Sequence, residues 1–341
     1  MFINDKVERK IKVLIVDDSP LIREALKAIL SSDIEIEVVG LAANGDEGVK
    51  KAAFLKPDVI TMDLKMPVMS GLEAVEKIME DNPIPIIVVS SMDVDVVVKA
   101  LSIGAMDFVA ISSDIEKISH DLISKVKIAS RVKPLRRMKI RPIVRTSIPK
   151  KENITKVVAV GVSTGGPQAL QVLLSKLPHD LPFGLIIVQH ISAGFINGLV
   201  EWLKDLTHLE IKVAQAGDVL KSGMVFFAPD GFNILIDAYS RISLKEDTTR
   251  KLIHVPSIDV MMNSVAKSFG ENAIGIIMTG MGNDGVEGIK SIKNAGGITI
   301  AQNEASSVIF GMNELAIESG CIDKVIPLNE IADEIIGLTK G

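Results

Sequence analysis

The chain has 341 residues, 47% of them hydrophobic and 24% charged, with a net charge of −5; such a length suggests about two domains with ample core. A single cysteine, Cys321, excludes a disulfide framework and a zinc-type cysteine cluster, and the acidic balance gives no general case for nucleic-acid binding. Met1-Phe2-Ile3-Asn4-Asp5-Lys6 lacks the apolar core of a signal peptide, and no apolar run approaches the roughly 20 residues needed to span a bilayer. The expectation is a soluble, cytoplasmic protein that is not membrane-inserted.

In chain order, Lys12-Val13-Leu14-Ile15-Val16 reads as a buried strand, followed by Asp17-Asp18-Ser19-Pro20 and a periodic segment from Leu21 to Leu30. Next come a strand over Ile36 to Leu41, a helix over Gly45 to Phe54 and a strand over Asp58 to Asp63. Past a loop containing Pro67 and Gly71, a helix covers Leu72 to Glu80. Strands over Pro85 to Ser90 and Asp107 to Ile111 follow, with a helical segment between them. Five strands alternating with helices predict a doubly wound parallel sheet.

The polar residues of this half collect at strand ends: Asp17 and Asp18 after the first strand, Asp63 at the end of the third, Ser90 at the end of the fourth. Three carboxylates converging in one crevice repel each other unless a hard cation sits among them. Mg²⁺ takes oxygen ligands and keeps several waters, so an open acidic pocket suits it. It would also neutralise a phosphoryl group transferred to one of the carboxylates. Asp18 and Ser19 read equally as helix caps, but Asp63 is remote in sequence and beside no obvious cap.

Between about Ser124 and Lys156 the chain carries twelve Lys and Arg against the single acid Glu152, with Pro134, Pro142 and Pro149. This tract predicts a last helix running into a solvated linker, and nothing in it names an acidic partner surface.

The second half opens on the run Val157 to Val162, which ends at Ser163 and is followed by Gly165, Gly166, Pro167 and a helix-like Gln168 to Lys176. A serine on a strand-to-helix turn within Gly161-x-Ser163-x-Gly165 suits a nucleophile, because free amides at the helix start can stabilise an oxyanion. It also suits an ordinary N-cap or a phosphate-binding turn. His190 ends a second apolar run, Leu185 to Gln189, and a third, Ile274 to Met278, leads into Thr279-Gly280-Met281-Gly282-Asn283-Asp284-Gly285. Three catalytic residue types thus reach the edge of the sheet where ligands bind. A serine hydroxyl needs an imidazole to take its proton and a carboxylate to fix the tautomer. An α/β-hydrolase order, Ser then Asp then His, would instead require His254 with Asp218, Asp230 or Asp237, and His254 has no clean strand end before it.

Several motifs carry a resemblance. They are Val16-Asp17-Asp18-Ser19, Met62-Asp63-Leu64-Lys65-Met66-Pro67, Val89-Ser90-Ser91, Gly161-Val162-Ser163-Thr164-Gly165-Gly166-Pro167, Gln189-His190 and the loop from Thr279 to Gly285. Smaller matches lie at Pro256-Ser257-Ile258-Asp259-Val260 and Phe310-Gly311-Met312. On these the chain resembles the CheB family of chemotaxis protein-glutamate methylesterases over nearly its whole length.

The resemblance implies two α/β domains with doubly wound parallel sheets: a flavodoxin-like receiver over 10–127 and a Rossmann-like methylesterase domain over 154–341, joined by a basic linker over 128–153. It implies Ser163 as nucleophile, His190 as base, Asp284 as orienting acid and the Met281 amide in the oxyanion hole, with no cofactor for the esterase. The reaction would be hydrolysis of γ-glutamyl methyl esters on chemoreceptor signalling helices, with deamidation of receptor glutamines. In the receiver, Asp63 would accept phosphate from a CheA-like histidine kinase, Asp17, Asp18 and Asp63 would hold Mg²⁺, and Ser90 and Phe108 would be the switch pair.

Two departures from the family stand out. Ile111 and Ser112 occupy the place of the usual Lys-Pro after the last receiver strand, so a charge partner for a phosphoryl group is missing; Asn313 replaces a usual proline. Outside this reading, the chain could be a general carboxylesterase of α/β-hydrolase type, or a regulator whose second half binds partners.

Overall fold

The computed structural model describes residues 9–90, 94–111, 115–132, 154, 156–248 and 254–338. The chain divides into two compact units, Met1–Met138 and Lys139–Gly341. The predicted basic linker beyond Val132 lies outside the described residues, as does Ser112. Within the predicted linker, residues 128–129 belong to the last helix of the first unit, so the helix runs slightly further than expected.

In the first unit, strands β1 (Ile11–Val16), β2 (Ile36–Ala42), β3 (Val59–Met62), β4 (Ile86–Ser90) and β5 (Asp107–Ala110) alternate with helices α1 (Pro20–Ser31), α2 (Gly45–Leu55), α3 (Gly71–Asp81), α4 (Val94–Ser102) and α5 (Ile115–Ala129). All strand pairs are parallel, in the order β2-β1-β3-β4-β5. β3 and β4 are buried at every residue; strands covered on both faces are mostly apolar, as Ile86 to Val89 and, apart from Thr61, Val59 to Met62 are. Helix starts are fixed locally: Ser19 caps α1, with Pro20 at its first position, and Ser70 with Glu73 forms a capping box on α3. The chain leaves β1 in opposite directions towards β2 and β3, which opens a crevice at their C-terminal ends. Asp17 and Asp63 stand there.

The second unit runs β6 (Val157–Val162), α6 (Gly166–Lys176), β7 (Gly184–Gln189), α7 (Ile196–Lys204), β8 (Glu210–Val213), β9 (Met224–Phe227), β10 (Asn233–Ile236), β11 (Ile242–Lys245), α8 (Ile258–Phe269), β12 (Ala273–Ile277), α9 (Val286–Asn294), β13 (Ile298–Gln302), α10 (Met312–Glu318), β14 (Lys324–Ile326) and α11 (Leu328–Leu338). Seven strands form a parallel sheet in the order β14-β13-β12-β6-β7-β9-β8. The alternation of β6 builds two cores. Val158, Val160 and Val162 face Leu170 and Leu173 of α6, Leu199 of α7 and Ile331 of α11. Val157 and Ala159 face Met261 and Val265 of α8 and Ile289 and Ile292 of α9. The antiparallel hairpin β10–β11 lies outside the sheet and bonds to α8 through Ser264 and Ser268. The sequence offered no signal for it. Both predicted doubly wound sheets are present. Among the described residues no helix is long and apolar enough to cross a membrane.

Candidate active site

The sheet of the second unit reverses direction around β6, whose neighbours are β7 and β12. Ser163, His190 and Asp284 follow these three central strands. Backbone bonds lock the ends together: Ser163 N donates to Thr279 O at 3.0 Å and His190 N to Val162 O at 2.9 Å. Buried Gln189 adds a clamp that was not anticipated, its Nε2 donating to Ser163 O and His190 O at 2.9 and 2.7 Å. Ser163 presses so closely on the loop after β12 that a Cβ at Gly280 would lie 2.6 Å from its own Cβ, which only glycine avoids. Gly165 takes φ +77° to turn the chain into α6.

His190 and Asp284 form the central pair, Nε2 to Oδ2 at 2.9 Å, with both side chains largely buried. The Asp284 carboxylate is saturated by further donors. Ser257 Oγ donates to Oδ1 at 2.9 Å, Asp259 N to Oδ1 at 3.0 Å and Ile258 N to Oδ2 at 2.8 Å. Burial pushes its pKa up, but the bonds from His190 and from the amides of Asp259 and Ile258 outweigh that and hold it below the usual carboxylate value. Asp284 is therefore a fixed anion. Because Nε2 is committed to it, Nδ1 is the nitrogen left to accept a proton, and Nδ1 is buried without a hydrogen-bond partner among the described residues. The carboxylate thus meets Nε2, whereas in the commonest serine-protease arrangement it meets Nδ1.

His254 takes no part in that pair. Its ring stacks on the ring of His190 instead, so the structure does not support the Ser-Asp-His order that would have used it as base.

Exposed Met281 follows Gly280, whose N donates to Ile309 O and whose O accepts from the amides of Gly311 and Met312. The Met281 amide itself donates to no backbone group among the described residues. Beneath it, Thr279 N donates to Gln302 Oε1, and fully buried Asn313 donates from Nδ2 to Gln302 O at 2.7 Å. Asn313 thus braces the floor under the loop.

In the first unit, Asp17 is buried, Asp18 exposed and Asp63 half-buried at the crevice. Burial pushes Asp17 up to about 6, with Asp63 and Asp18 adding repulsion. Burial likewise raises Asp63, against hydrogen bonds from the amides of Leu64 and Lys65, while Asp18 raises it further and the Ser90 hydroxyl lowers it. Among the described residues no three His, Cys, Asp or Glu side chains close into a metal cage. The mutual repulsion of Asp17, Asp18 and Asp63 is nevertheless what a cation that keeps most of its water would relieve.

Ile111 follows β5, its N bonded to Ser90 O at 3.1 Å. The buried cation beside β5 is Lys125, which pairs with Asp107 and Asp121 at 3.3 Å and lies 5.4 Å from the ring centroid of buried Phe108. It is held at the start of β5 and not at the acidic end.

Residues 158–335 match the profile of the CheB methylesterase family, and residues 13–122 that of the response regulator receiver domain. The chain is 40% identical to the protein-glutamate methylesterase/protein-glutamine glutaminase of Halalkalibacterium halodurans, over 98% of this chain and 100% of that one. It is 38% identical to the protein of the same name from Pyrococcus horikoshii, over 96% and 93%. The crystal structure of the Thermotoga maritima CheB methylesterase catalytic domain aligns with 54% of this chain and 98% of its own, at 34% identity and a TM-score of 0.52.

Proposed function

Because the chain belongs to the CheB methylesterase family and carries a receiver domain, we propose that it is a chemotaxis response regulator that hydrolyses glutamyl methyl esters on chemoreceptors and deamidates receptor glutamines. The observation that carries the reading is the His190–Asp284 pair, whose second imidazole nitrogen is unspent at the strand end beside that of Ser163.

Ser163 Oγ attacks the γ-carbonyl carbon while His190 Nδ1 takes the hydroxyl proton. The imidazolium is stabilised by Asp284, which stays ionised. Charge developing on the carbonyl oxygen meets the Met281 amide. Collapse breaks the C–O bond, and the proton on His190 goes to the departing methoxide to give methanol. Water then attacks the glutamyl ester of Ser163, with His190 again as base, to release the carboxylate. A glutamine follows the same path and loses ammonia.

In the receiver, Asp63 accepts a phosphoryl group from a CheA-like histidine kinase, and phosphorylation gates the esterase. Mg²⁺ held by Asp17, Asp18 and Asp63 would neutralise charge on that group. Ser90, whose hydroxyl lowers the pKa of Asp63, and Phe108 form the switch pair. In this reading the protein works in the cytoplasm.

The test is methanol release from methylated receptor compared with a free γ-glutamyl methyl ester. The surrounding receptor helix contributes binding energy that orients the carbonyl, so the receptor is expected to be much the better substrate in kcat/KM. Equal values would support a general carboxylesterase. Inertness toward every ester would support a partner-binding regulator.

A further inference from the structure

The rings of His254 and His190 stack with centroids 4.3 Å apart and planes inclined by 21°. His190 is largely buried, whereas His254 is exposed. His254 therefore lies against the buried base while keeping much of its own surface exposed. Ring contacts of this kind favour a defined offset and plane. The catalytic task of His190 demands such a plane, because a rotation that keeps Nε2 on Asp284 still swings Nδ1 relative to the serine.

We propose that His254 is a positioning residue that roofs His190, holding the plane of the base ring and keeping water off its face. This rests on the reading of His190 as the base of the esterase. Two charged or titratable groups facing His254 are His190 itself and Asp284. Packing at the site and the neighbouring imidazole push the pKa of His254 below the ordinary histidine value, against the pull of Asp284. A neutral roof suits a base that must become an imidazolium, since a second cation stacked on it would oppose proton uptake. Asp284 has its oxygens occupied by His190, Ser257, Ile258 and Asp259, so His254 receives no carboxylate partner from it and has no route to the base's own role.

The experiment compares the full-length protein with His254→Ala and His254→Phe in two assays: steady-state methanol release from methylated receptor, and the rate at which a fluorophosphonate probe labels Ser163. Loss of a stacking contact should lower kcat about tenfold in His254→Ala, with KM unchanged and the labelling rate falling in parallel. A flat phenyl ring should restore both rates to within about twofold, because it covers the same face. Unchanged rates in His254→Ala overturn the proposal. So does a loss confined to KM, which would mean substrate contact, or a loss that phenylalanine does not rescue, which would mean that the imidazole nitrogens act directly. Should native protein label at Ser163 but release no methanol from receptor, the receptor reading fails while the labelling rates still decide the role of His254.

Discussion

Asp284 and Asp259 close each other's helices. Asp284, just ahead of α9, accepts the amides of Ile258 and Asp259 in the first turn of α8, while Asp259 Oδ1 accepts the amides of Gly285 and Gly288 at 2.8 and 2.7 Å as α9 begins. Helix N-termini leave amides unpaired and carry partial positive charge. The carboxylate that steadies His190 is therefore also a structural cap, and its orientation depends on Asp259, whose amide it accepts.

From this pairing Asp284→Asn should lower kcat by roughly two to four orders of magnitude, because the amide fails to fix the tautomer and stabilise the imidazolium. Asp259→Ala should lose roughly 1 kcal/mol of stability for the missing cap, with a smaller loss of kcat as Asp284 loosens. Denaturant melts and methanol release on both variants check this. An Asp259→Ala protein unchanged in both would show that the reciprocal caps are not coupled to the site.

Asp17 ties pH to stability in the receiver. Its native pKa is raised to about 6, so protonation favours the folded state. The stability it contributes is full below the ordinary carboxylate value and is lost as pH rises through about 6. Without divalent cations, Asp17→Asn should raise Tm at pH 7.5 and make little difference near pH 4. Mg²⁺ should raise the Tm of the native protein at pH 7.5, less at pH 5, and little in Asp17→Asn. Identical melting of both proteins at pH 7.5, with and without Mg²⁺, would remove the cation site.

Ile111 bears on regulation. An apolar side chain gives a phosphoryl group on Asp63 no charge-assisted contact, and a ligand shifts an equilibrium only through its differential interaction with the two states. Phosphodonor titration should therefore stimulate methanol release more strongly in Ile111→Lys than in the native chain. Equal stimulation in both would mean that coupling here does not use that position.

Strands β6, β7 and β12 were legible because they are buried on both faces: Val157 to Val162, Leu185 to Val188 and Ile274 to Ile277 carry no polar side chain, and Ser163, His190 and, in the loop beyond β12, Asp284 come after them. Strands β3 and β4 of the receiver were legible for the same reason. The hairpin β10–β11 was not, since four-residue strands outside the sheet leave little periodicity, yet its Asn233 Oδ1 accepts Ser257 N at 2.8 Å and so steadies the cap of α8. Pro256-Ser257-Ile258-Asp259-Val260 was visible as a motif without a task; only the tertiary fold brings its amides onto Asp284. Which imidazole nitrogen faces the carboxylate, and that His254 stacks on His190, depend on ring orientations that spacing does not encode.

The most direct measurement is methanol release from methylated receptor by native protein, Ser163→Ala and His190→Ala, assayed side by side. The account predicts background release from Ser163→Ala and near-background release from His190→Ala, since a serine without its base loses its activation and variants of such triads fall by several orders of magnitude. Release from Ser163→Ala at the native rate would contradict it.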